Sequence, residues 1–279
     1  MAAPATISSA LTRGTALLAS FPTARRDAEL LLMHVLGRDR AYLLTHPETI
    51  LSPEQAALYE EWLSRRARHE PVQYIIGEQE FFGLKFRVTP DVLIPRPETE
   101  HLVEGALACI ERESTPRIAD IGTGSGAIAV ALAHALPNAQ VTALDNSPAA
   151  LAVARGNAGM HGVGERIRFI ESDLLTAVHG EHFDMIVSNP PYVAAGEELE
   201  AQVRDYEPPS ALFAGEDGLD IYRRLIPQAF AALKPGGWLL LEIGYGQRDA
   251  LAQLLSQWTS LSFIADLQGI PRVACAQRV

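Results

Sequence analysis

The chain has 279 residues, of which 48% are hydrophobic and 20% are charged, a composition typical of one or two globular domains. This composition excludes a disordered, collagen-like or disulfide-stapled protein. The net charge of −11 is uneven, because residues 1–90 carry 10 basic and 10 acidic side chains whereas residues 91–279 carry 13 and 24. Such an acidic C-terminal part lacks the basic surface that a nucleic-acid duplex normally requires, so we expect no nucleic-acid partner.

Several other classes of protein are disfavoured by the sequence. Cys109 and Cys275 are far apart and match no ligand spacing, which favours reduced core thiols in a cytoplasmic protein. The apolar runs at residues 30–36 and 238–243 fall short of the ~20 residues of a membrane span, so we expect a soluble protein with no membrane partner. No two histidines are spaced i, i+4, and we therefore expect no metal site.

The pattern up to about residue 73 is helical. Residues 1–26 contain no acidic side chain, a composition that transit peptides share, but their apolar pattern favours a plain first helix. Residues 27–36 place apolar side chains at i, i+3, i+4 and i+7. Ser52-Pro53-Glu54-Gln55 has the N-cap serine, first-position proline and third-position glutamine of a helix start, and this helix should reach about residue 69. We predict a helical domain over residues 1–76.

The pattern changes to β structure after residue 76. Short β runs at residues 80–82 and 85–88, divided by Gly83-Leu84, predict a hairpin within a linker over residues 77–97. Residues 98–279 then alternate strands and helices, which predicts a parallel sheet covered on both faces, closed by an antiparallel hairpin. The predicted strands are residues 117–121, 140–145, 167–172, 185–188, 238–243, 262–266 and 273–277.

A glycine-rich turn follows the first of these strands. Asp120-Ile121-Gly122-Thr123-Gly124-Ser125-Gly126 precedes an apolar helix over residues 127–136. Glycines let the backbone approach a ligand closely, and the helix N-terminus offers free N–H groups. Asp145 ends the next strand, where a carboxylate can accept both hydroxyl groups of a ribose. Together these features predict a site for a nucleoside-containing cofactor; the alternative is a tight turn without a ligand.

Asn189-Pro190-Pro191-Tyr192 follows the fourth strand of the sheet and is the most specific motif of the chain. Two prolines hold the backbone extended and remove two N–H donors, so the carbonyl groups there act as acceptors only. Asn189 adds a side-chain acceptor and Tyr192 adds a flat ring. The combination suits a planar –NH2 group, although a structural turn could use the same residues.

These motifs resemble those of the class I S-adenosylmethionine-dependent methyltransferases that modify planar amide or amino nitrogens. Within that class, the chain resembles the peptide chain release factor N5-glutamine methyltransferases over nearly its whole length. The segments that carry this resemblance are Ala24-Arg25-Arg26-Asp27-Ala28-Glu29-Leu30-Leu31-Leu32, Pro71-Val72-Gln73-Tyr74-Ile75-Ile76-Gly77, Phe81-Phe82-Gly83-Leu84, Ile94-Pro95-Arg96-Pro97-Glu98-Thr99-Glu100 and Leu241-Glu242-Ile243-Gly244.

The resemblance implies a fold and an activity. The fold is a Rossmann-like α/β domain with a mainly parallel seven-stranded sheet, preceded by a small all-helical domain that recruits the substrate. The activity is methylation of the N5 side-chain amide of the glutamine in the Gly-Gly-Gln motif of class 1 translation release factors. S-adenosyl-L-methionine is the implied methyl donor, and S-adenosyl-L-homocysteine is the product. For the oligomeric state we expect a monomer.

The resemblance also implies site residues. Gly122, Thr123, Gly124, Ser125 and Gly126 would line the cofactor. Asp145 would hold its ribose, Asn189 would also contact it, and Leu174 would lie against the adenine, where the family often has a tryptophan. Asn189, Pro190, Pro191 and Tyr192 would bind the substrate glutamine, and we expect Asn189, Pro190 and Tyr192 to be catalytic, with no histidine base.

Two points stay open at this stage. Arg96 and Glu98 either help close the cofactor pocket or form a salt bridge in the linker, and the acidic residues of segment 197–205 are either solvated or face a basic partner.

An N6-adenine methyltransferase of DNA or RNA is the main alternative function, since adenine also presents a planar –NH2 group. A cofactor-binding scaffold without activity is the second, and the intact Asn189–Tyr192 motif argues against it.

Overall fold

The computed structural model describes residues 5–111 and 114–279. The chain divides into two compact units, one formed by Met1–Gly77 with Glu200–Tyr206 and the other by Glu78–Leu199 with Glu207–Val279. The helices and strands are α1 (Ile7–Leu17), α2 (Ala24–Leu36), α3 (Arg40–Thr45), α4 (Pro53–Ala67), α5 (Val72–Ile76), β1 (Glu78–Phe81), β2 (Leu84–Arg87), α6 (Glu100–Ala108), β3 (Arg117–Ile121), α7 (Ala127–Ala135), β4 (Gln140–Asp145), α8 (Pro148–Met160), β5 (Ile167–Glu171), β6 (Phe183–Ser188), α9 (Ala201–Arg204), α10 (Asp220–Ala232), β7 (Leu233–Glu242), α11 (Arg248–Leu254), β8 (Thr259–Ala265) and β9 (Pro271–Gln277).

The helical unit is built on α1, α2 and α4, whose apolar faces form one core. The predicted capping box at the start of α4 is confirmed, because the Ser52 hydroxyl accepts from the Gln55 amide and the Gln55 side chain accepts from the Ser52 amide. Tyr59 is fully buried in this core, and its hydroxyl donates to the Ala28 carbonyl at 3.1 Å. The apolar spacing along α2 therefore marks the face that packs against α4.

A buried ion pair joins α2 to α4. Arg66 Nε lies 2.8 Å from Asp27 Oδ2, and both side chains are less than a tenth exposed. The Thr23 hydroxyl also donates to Asp27, and the Arg66 guanidinium lies 4.0 Å from the centre of the Phe21 ring. Each buried charge is thus compensated by polar or aromatic neighbours, as burial of a charge requires.

The second unit contains a seven-stranded sheet in the order β5-β4-β3-β6-β7-β9-β8. The first five of these strands are parallel, and β9 runs antiparallel to both β7 and β8, as the sequence predicted. From β3, the strands β4 and β5 are added toward one edge of the sheet, and β6 and β7 are then added on the other side of β3. The strand order therefore reverses between β3 and β6. In open α/β sheets this switch point, at the carboxyl ends of the strands, is where ligands bind.

Two apolar cores cover the two faces of the sheet. Along β6, Met185 and Val187 belong to the core shared with α6, α7 and α8, whereas Ile186 belongs to the core shared with α10 and α11. This alternation follows from the two-residue period of a strand, and burial on both faces explains the unbroken apolar run at residues 185–187 of β6. Cys275 is buried in the first of these cores and Cys109 packs against it, and both are free thiols.

The predicted hairpin forms, but its turn lies one residue earlier in the sequence than predicted. The strands are β1 and β2, and the turn is Phe82-Gly83 rather than Gly83-Leu84. Both turn residues have positive φ, 51° for Phe82 and 71° for Gly83, the backbone of a tight two-residue hairpin. The Phe82 amide donates to the Glu100 carboxylate at 2.8 Å, a tertiary contact that the sequence pattern could not reveal. None of the helices in the part of the chain that the structure describes could cross a membrane.

The buried ion pair predicts how the helical unit responds to mutation. Asp27→Ala leaves the buried Arg66 charge without its carboxylate, so we expect the free energy of unfolding to fall by about 3 kcal/mol in a urea titration. Removing both charges together, as Asp27→Leu with Arg66→Met, should cost less than the single change. Glu60→Ala, which breaks the exposed pair of Arg13 and Glu60, is the control and should leave the transition unchanged. A double variant as unstable as Asp27→Ala would contradict this account.

Candidate active site

A cavity in the second unit opens at the carboxyl ends of β3, β4 and β6. Nine of the predicted site residues line it, namely Gly122, Thr123, Gly124, Ser125, Asp145, Leu174, Asn189, Pro190 and Pro191. Among the described residues, the lining does not include the two others, Gly126 and Tyr192. The linker before α6 and the segment after the Asn189–Tyr192 motif supply further walls, through Leu93, Pro95 and Pro208.

The glycine-rich loop and the start of α7 form one wall of this cavity. Gly122, Gly124 and Gly126 all have positive φ, 70°, 54° and 79°, which explains the glycine at every second position. A Cβ on Gly126 would also lie 3.0–3.1 Å from Ala154 of α8, so close packing excludes a larger residue there. The cavity reaches Ala127 and Ile128, whose N–H groups in the first turn of α7 have no partner within the helix.

Asp145 ends β4 with its carboxylate held by the backbone. Its Oδ2 accepts from the Gly124 amide and its Oδ1 from the Ser147 amide, each at 2.9 Å. Burial raises the pKa of Asp145, and these backbone hydrogen bonds oppose the rise. Each carboxylate oxygen keeps a second lone pair, so the group can still accept two hydroxyl hydrogens from a ligand.

Asp120 stabilises the glycine-rich loop through hydrogen bonds to its buried carboxylate. Its Oδ2 accepts from the Thr123 hydroxyl at 2.7 Å and from the Ala129 amide at 3.2 Å, while Oδ1 is buried and finds no partner in the described part of the chain. Complete burial raises the pKa of Asp120 to about 7, against those two hydrogen bonds, and the nearby Asp145 charge adds to the rise. The side chain ties the end of β3 to the loop and to the start of α7.

Leu174 lines the cavity with an unusual backbone. Its φ is 53°, a left-handed conformation that leucine rarely adopts. Two neighbours hold this turn, because the Leu175 amide donates to Gln228 Oε1 at 3.0 Å and Asp173 pairs with Arg224. The half-buried leucine side chain therefore presents a fixed apolar surface to the cavity.

Asn189 is placed with its amide oxygen available. Its Nδ2 donates to Thr99 Oγ1 at 3.1 Å, and within the described residues Oδ1 accepts no hydrogen bond. Pro190 and Pro191 follow without N–H groups, so the backbone of these two lining residues can accept hydrogen bonds but cannot donate them. The site can therefore bind a group that presents two N–H hydrogens.

Tyr192 faces away from the cavity and packs against the core of the α10 face. Its hydroxyl lies 3.5 Å from Glu242 Oε1, at the end of β7. Burial raises the pKa of Glu242 to about 7 although the Thr99 hydroxyl lowers it. Glu242 Oε2 is buried and has no hydrogen-bond partner among the described residues. Burial likewise raises the pKa of Tyr192, so the phenol stays protonated. The motif tyrosine is thus part of a buried polar cluster behind Asn189.

The open question about Arg96 is answered by a residue that the sequence analysis did not select. Arg96 Nη2 lies 2.5 Å from Glu207 Oε1, and Glu207 Oε2 accepts from the Ile94 amide at 3.3 Å. The Glu207 side chain is only 1% exposed. Since Leu93 and Pro95 line the cavity, this salt bridge also holds the cavity wall, and both interpretations apply. Glu98 makes no salt bridge in the described structure and acts at a distance, raising the pKa of Glu242.

The acidic segment is solvated in part. Glu197 and Glu198 are exposed, and Asp205 pairs with its neighbour Arg204 at the surface.

Thr99, Glu207 and Glu242 are the site residues that the sequence analysis missed as individual residues. Glu242 ends an apolar strand, and burial of a carboxylate there costs free energy unless the group is paired or hydrogen-bonded. Glu207 precedes two prolines, a context that signals a fixed loop but not its partner. Thr99 gives no signal of its own, because only the fold brings it to Asn189.

Comparison with known proteins is consistent with this geometry. A family model described as the PrmC N-terminal domain matches residues 9–77, and one described as the methyltransferase small domain matches residues 103–205. A T. thermophilus 16S rRNA N2 G1207 methyltransferase has a TM-score of 0.56 at 20% identity, covering 72% of this chain and 50% of its own. The hMettl16 catalytic domain has a TM-score of 0.57 at 15% identity, covering 84% of each chain. These two likenesses place the second unit in the methyltransferase fold class.

Whole-chain relatives narrow this class to one family. A release factor glutamine methyltransferase of Koribacter versatilis is 49% identical over 263 residues, which is 93% of each chain. One of Geobacter sulfurreducens is 44% identical and covers 94% of this chain and 92% of its own. The chain belongs to the release factor glutamine methyltransferase family.

The cavity fits the S-adenosylmethionine that this family implies. Gly122 and Gly124 leave open space where a Cβ would be, so a ligand can approach their backbone. Asp145 has acceptor capacity for ribose hydroxyls, and Leu174 offers an apolar surface for a purine. These residues thus match the ribose and the base of such a molecule at the end of β4.

The Arg96–Glu207 salt bridge predicts a change in cofactor affinity. Glu207→Gln replaces an ionic contact by a neutral one and loosens the linker wall, so we expect the Kd for S-adenosylmethionine to rise about tenfold, or ~1.4 kcal/mol, in calorimetry. Asp217→Asn, which weakens the exposed pair with Arg223, is the matched control and should bind as the wild type does. An unchanged Kd in Glu207→Gln would show that the wall stands without this contact.

The raised pKa of Asp120 predicts a pH dependence of stability. The pKa rises from an ordinary 3.8 to about 7 on folding, so the folded state binds more protons between these values and stability falls as the pH rises through them. Asp120→Asn keeps the shape but not the charge, and its Tm should fall less than that of the wild type between pH 4.5 and 7.5. The residual slope belongs to Glu242, whose pKa is also about 7, and to Asp145, whose pKa burial also raises. Asp91→Asn, at an exposed position of the same cavity, should follow the wild type; parallel curves for all three proteins would refute the assignment.

Proposed function

We propose that this chain methylates the N5 amide nitrogen of the glutamine in the Gly-Gly-Gln motif of class 1 release factors, using S-adenosyl-L-methionine. The observation that carries the proposal is Asn189, which lines the cavity with its nitrogen held by Thr99, while its oxygen accepts no hydrogen bond from the described residues. Next to it, the Pro190 carbonyl supplies a second acceptor. Two acceptors side by side match the two hydrogens of a planar carboxamide.

The chemistry required of the protein follows from the amide group. An amide nitrogen is a weak nucleophile because its lone pair is delocalised into the carbonyl, so much of the rate must come from positioning. When bound, S-adenosylmethionine supplies an electrophilic methyl group on a sulfonium centre. Asn189 and Pro190 accept the two N–H hydrogens, which raises the electron density on nitrogen and aims it. Tyr192 serves in this proposal as a positioning residue behind Asn189.

No dedicated base is needed at this site. Once the C–N bond has formed, the nitrogen is strongly acidic and its proton can pass to water or to an acceptor nearby. Within the described residues, the lining of the cavity includes no histidine. A glutamate or ester in place of glutamine would leave both acceptors unpaired, at about 1–3 kcal/mol each, which gives the site a basis for selectivity.

In this proposal the helical unit recruits the release factor, and residues 98–279 carry out the transfer. The assignment is supported by the absence of any catalytic motif in residues 1–76 and by the separate core of the helical unit. Gly126 contributes through the loop conformation rather than through direct contact. We expect the protein to act as a monomer in the cytoplasm, without a nucleic-acid substrate.

The function is tested with methyl-labelled S-adenosylmethionine and three acceptors. These are a release factor, the same factor with its motif glutamine changed to glutamate, and single-stranded or duplex DNA. We expect label on the first acceptor alone. Label on DNA, or equal labelling of the glutamate variant, would show that the acceptor pair serves a different substrate.

Asn189→Ala is expected to separate binding from chemistry. Loss of one of two acceptors should lower kcat at least about 100-fold, since positioning supplies much of the rate. The Kd for S-adenosylmethionine should stay within about threefold, because Asp145 and the glycine loop are untouched. Asn138→Ala, at an exposed asparagine before the amino end of β4, is the control and should keep full activity. Parallel losses of kcat and cofactor affinity in Asn189→Ala would assign Asn189 to the cofactor instead.

A further inference from the structure

A buried polar cluster lies behind Asn189 and includes groups with no assigned role. Its members are Thr99, which is 4% exposed, and Glu242, which is 2% exposed, together with Tyr192. We propose that Thr99 and Glu242 are positioning residues that fix the direction of the Asn189 amide, so that its oxygen rather than its nitrogen faces the substrate. This inference rests on the proposed function, because it concerns the same acceptor pair.

The direction of an asparagine amide has to be set by its partners. Its oxygen and its –NH2 group are nearly equal in size, so a half-turn of the amide exchanges an acceptor for a donor with little change of shape. At Asn189 such a turn would point N–H hydrogens at the N–H hydrogens of the substrate. The acceptor pair would be lost and two donors would be left unpaired.

Thr99 decides between the two directions only if its own hydrogen is already committed. A hydroxyl has a single hydrogen, and when that hydrogen goes elsewhere its oxygen can only accept. Glu242, the buried carboxyl of the same cluster, is the neighbour that we infer takes the hydrogen, and hydrogen bonding by Thr99 is also among the influences that lower its pKa. The structure contains the first step, Asn189 Nδ2 donating to Thr99 Oγ1 at 3.1 Å, and donation from Thr99 to Glu242 is the inferred second step.

Glu242 is suited to be the end of this chain of donors. One of its oxygens faces the Tyr192 hydroxyl at 3.5 Å and the other is buried without a partner, so the carboxylate has acceptor capacity to spare. The Tyr222 hydroxyl donates to the Glu242 main-chain carbonyl at 2.7 Å and fixes the end of β7. Thr99 lines the cavity beside Asn189, and Glu242 is not among its described lining residues. In this proposal both residues act through Asn189.

The experiment compares Thr99→Val, which keeps the shape and removes the hydroxyl, with Thr99→Ser, which keeps the hydroxyl. Assays are run at pH 8.5 so that Glu242, with its pKa of about 7, is ionised. We expect Thr99→Val to lower kcat about tenfold or more, with the KM for the release factor and the Kd for S-adenosylmethionine within about threefold. Thr99→Ser should restore most of kcat.

Glu242→Gln adds a second, independent arm. Its amide can donate to Thr99, which frees the Thr99 hydrogen for the Asn189 oxygen and favours the wrong direction, so kcat should fall. The double variant Thr99→Val with Glu242→Gln should be no slower than the slower single variant, because the two residues act in series. Multiplying losses, or a wild-type kcat in Thr99→Val, would overturn the inference.

A readout without substrate separates this inference from the proposed function. The side-chain –NH2 resonances of Asn189, assigned by their loss in Asn189→Ala, should show slow exchange in the wild type and in Thr99→Ser and fast exchange in Thr99→Val. If the wild type fails to methylate a release factor, the proposed function fails while this measurement still stands. Equal exchange in all three proteins would overturn the positioning role, whatever the activity.

Discussion

Desolvation of polar groups at the carboxyl ends of the strands is the constraint on which this site depends. Asp120, Asp145 and Glu242 lie at or next to the ends of β3, β4 and β7, and burial raises the pKa of each. Each carboxyl group is held by donors from its neighbours, and each keeps acceptor capacity beyond them. Removal from water makes these acceptors costly to leave unpaired, and that cost orders the loops around them.

The polar groups of the site form two separate clusters. Asp120 and Asp145 hold the loop that follows β3, while Thr99, Asn189 and Glu242 form a separate cluster near the ends of β6 and β7. Ser188 joins the two strands at the switch point, because its hydroxyl donates to the Ile121 carbonyl at 2.7 Å. The reacting groups would therefore meet at the place where the sheet reverses its order.

Features set by local sequence were predictable, whereas features set by tertiary contact were not. The parallel strands, the capping box at Ser52 and the glycine loop each carry a local pattern, and the structure contains all of them. The hairpin turn lies one residue before the predicted one because Phe82 has a left-handed backbone conformation, which is rare for phenylalanine and cannot be predicted from the residue type. The partner of Arg96 is more than a hundred residues away in sequence, so no spacing could indicate Glu207.

The same distinction explains why the motif Asn189–Tyr192 is informative but incomplete. Its residue types specify acceptors, yet an asparagine specifies an acceptor only when something else binds its nitrogen. That partner, Thr99, comes from the segment before α6, and the carboxylate beyond it comes from the end of β7. Three segments distant in sequence are thus required before the motif has a defined direction. A tetrapeptide on its own predicts the chemistry, and the fold around it determines whether that chemistry faces the substrate.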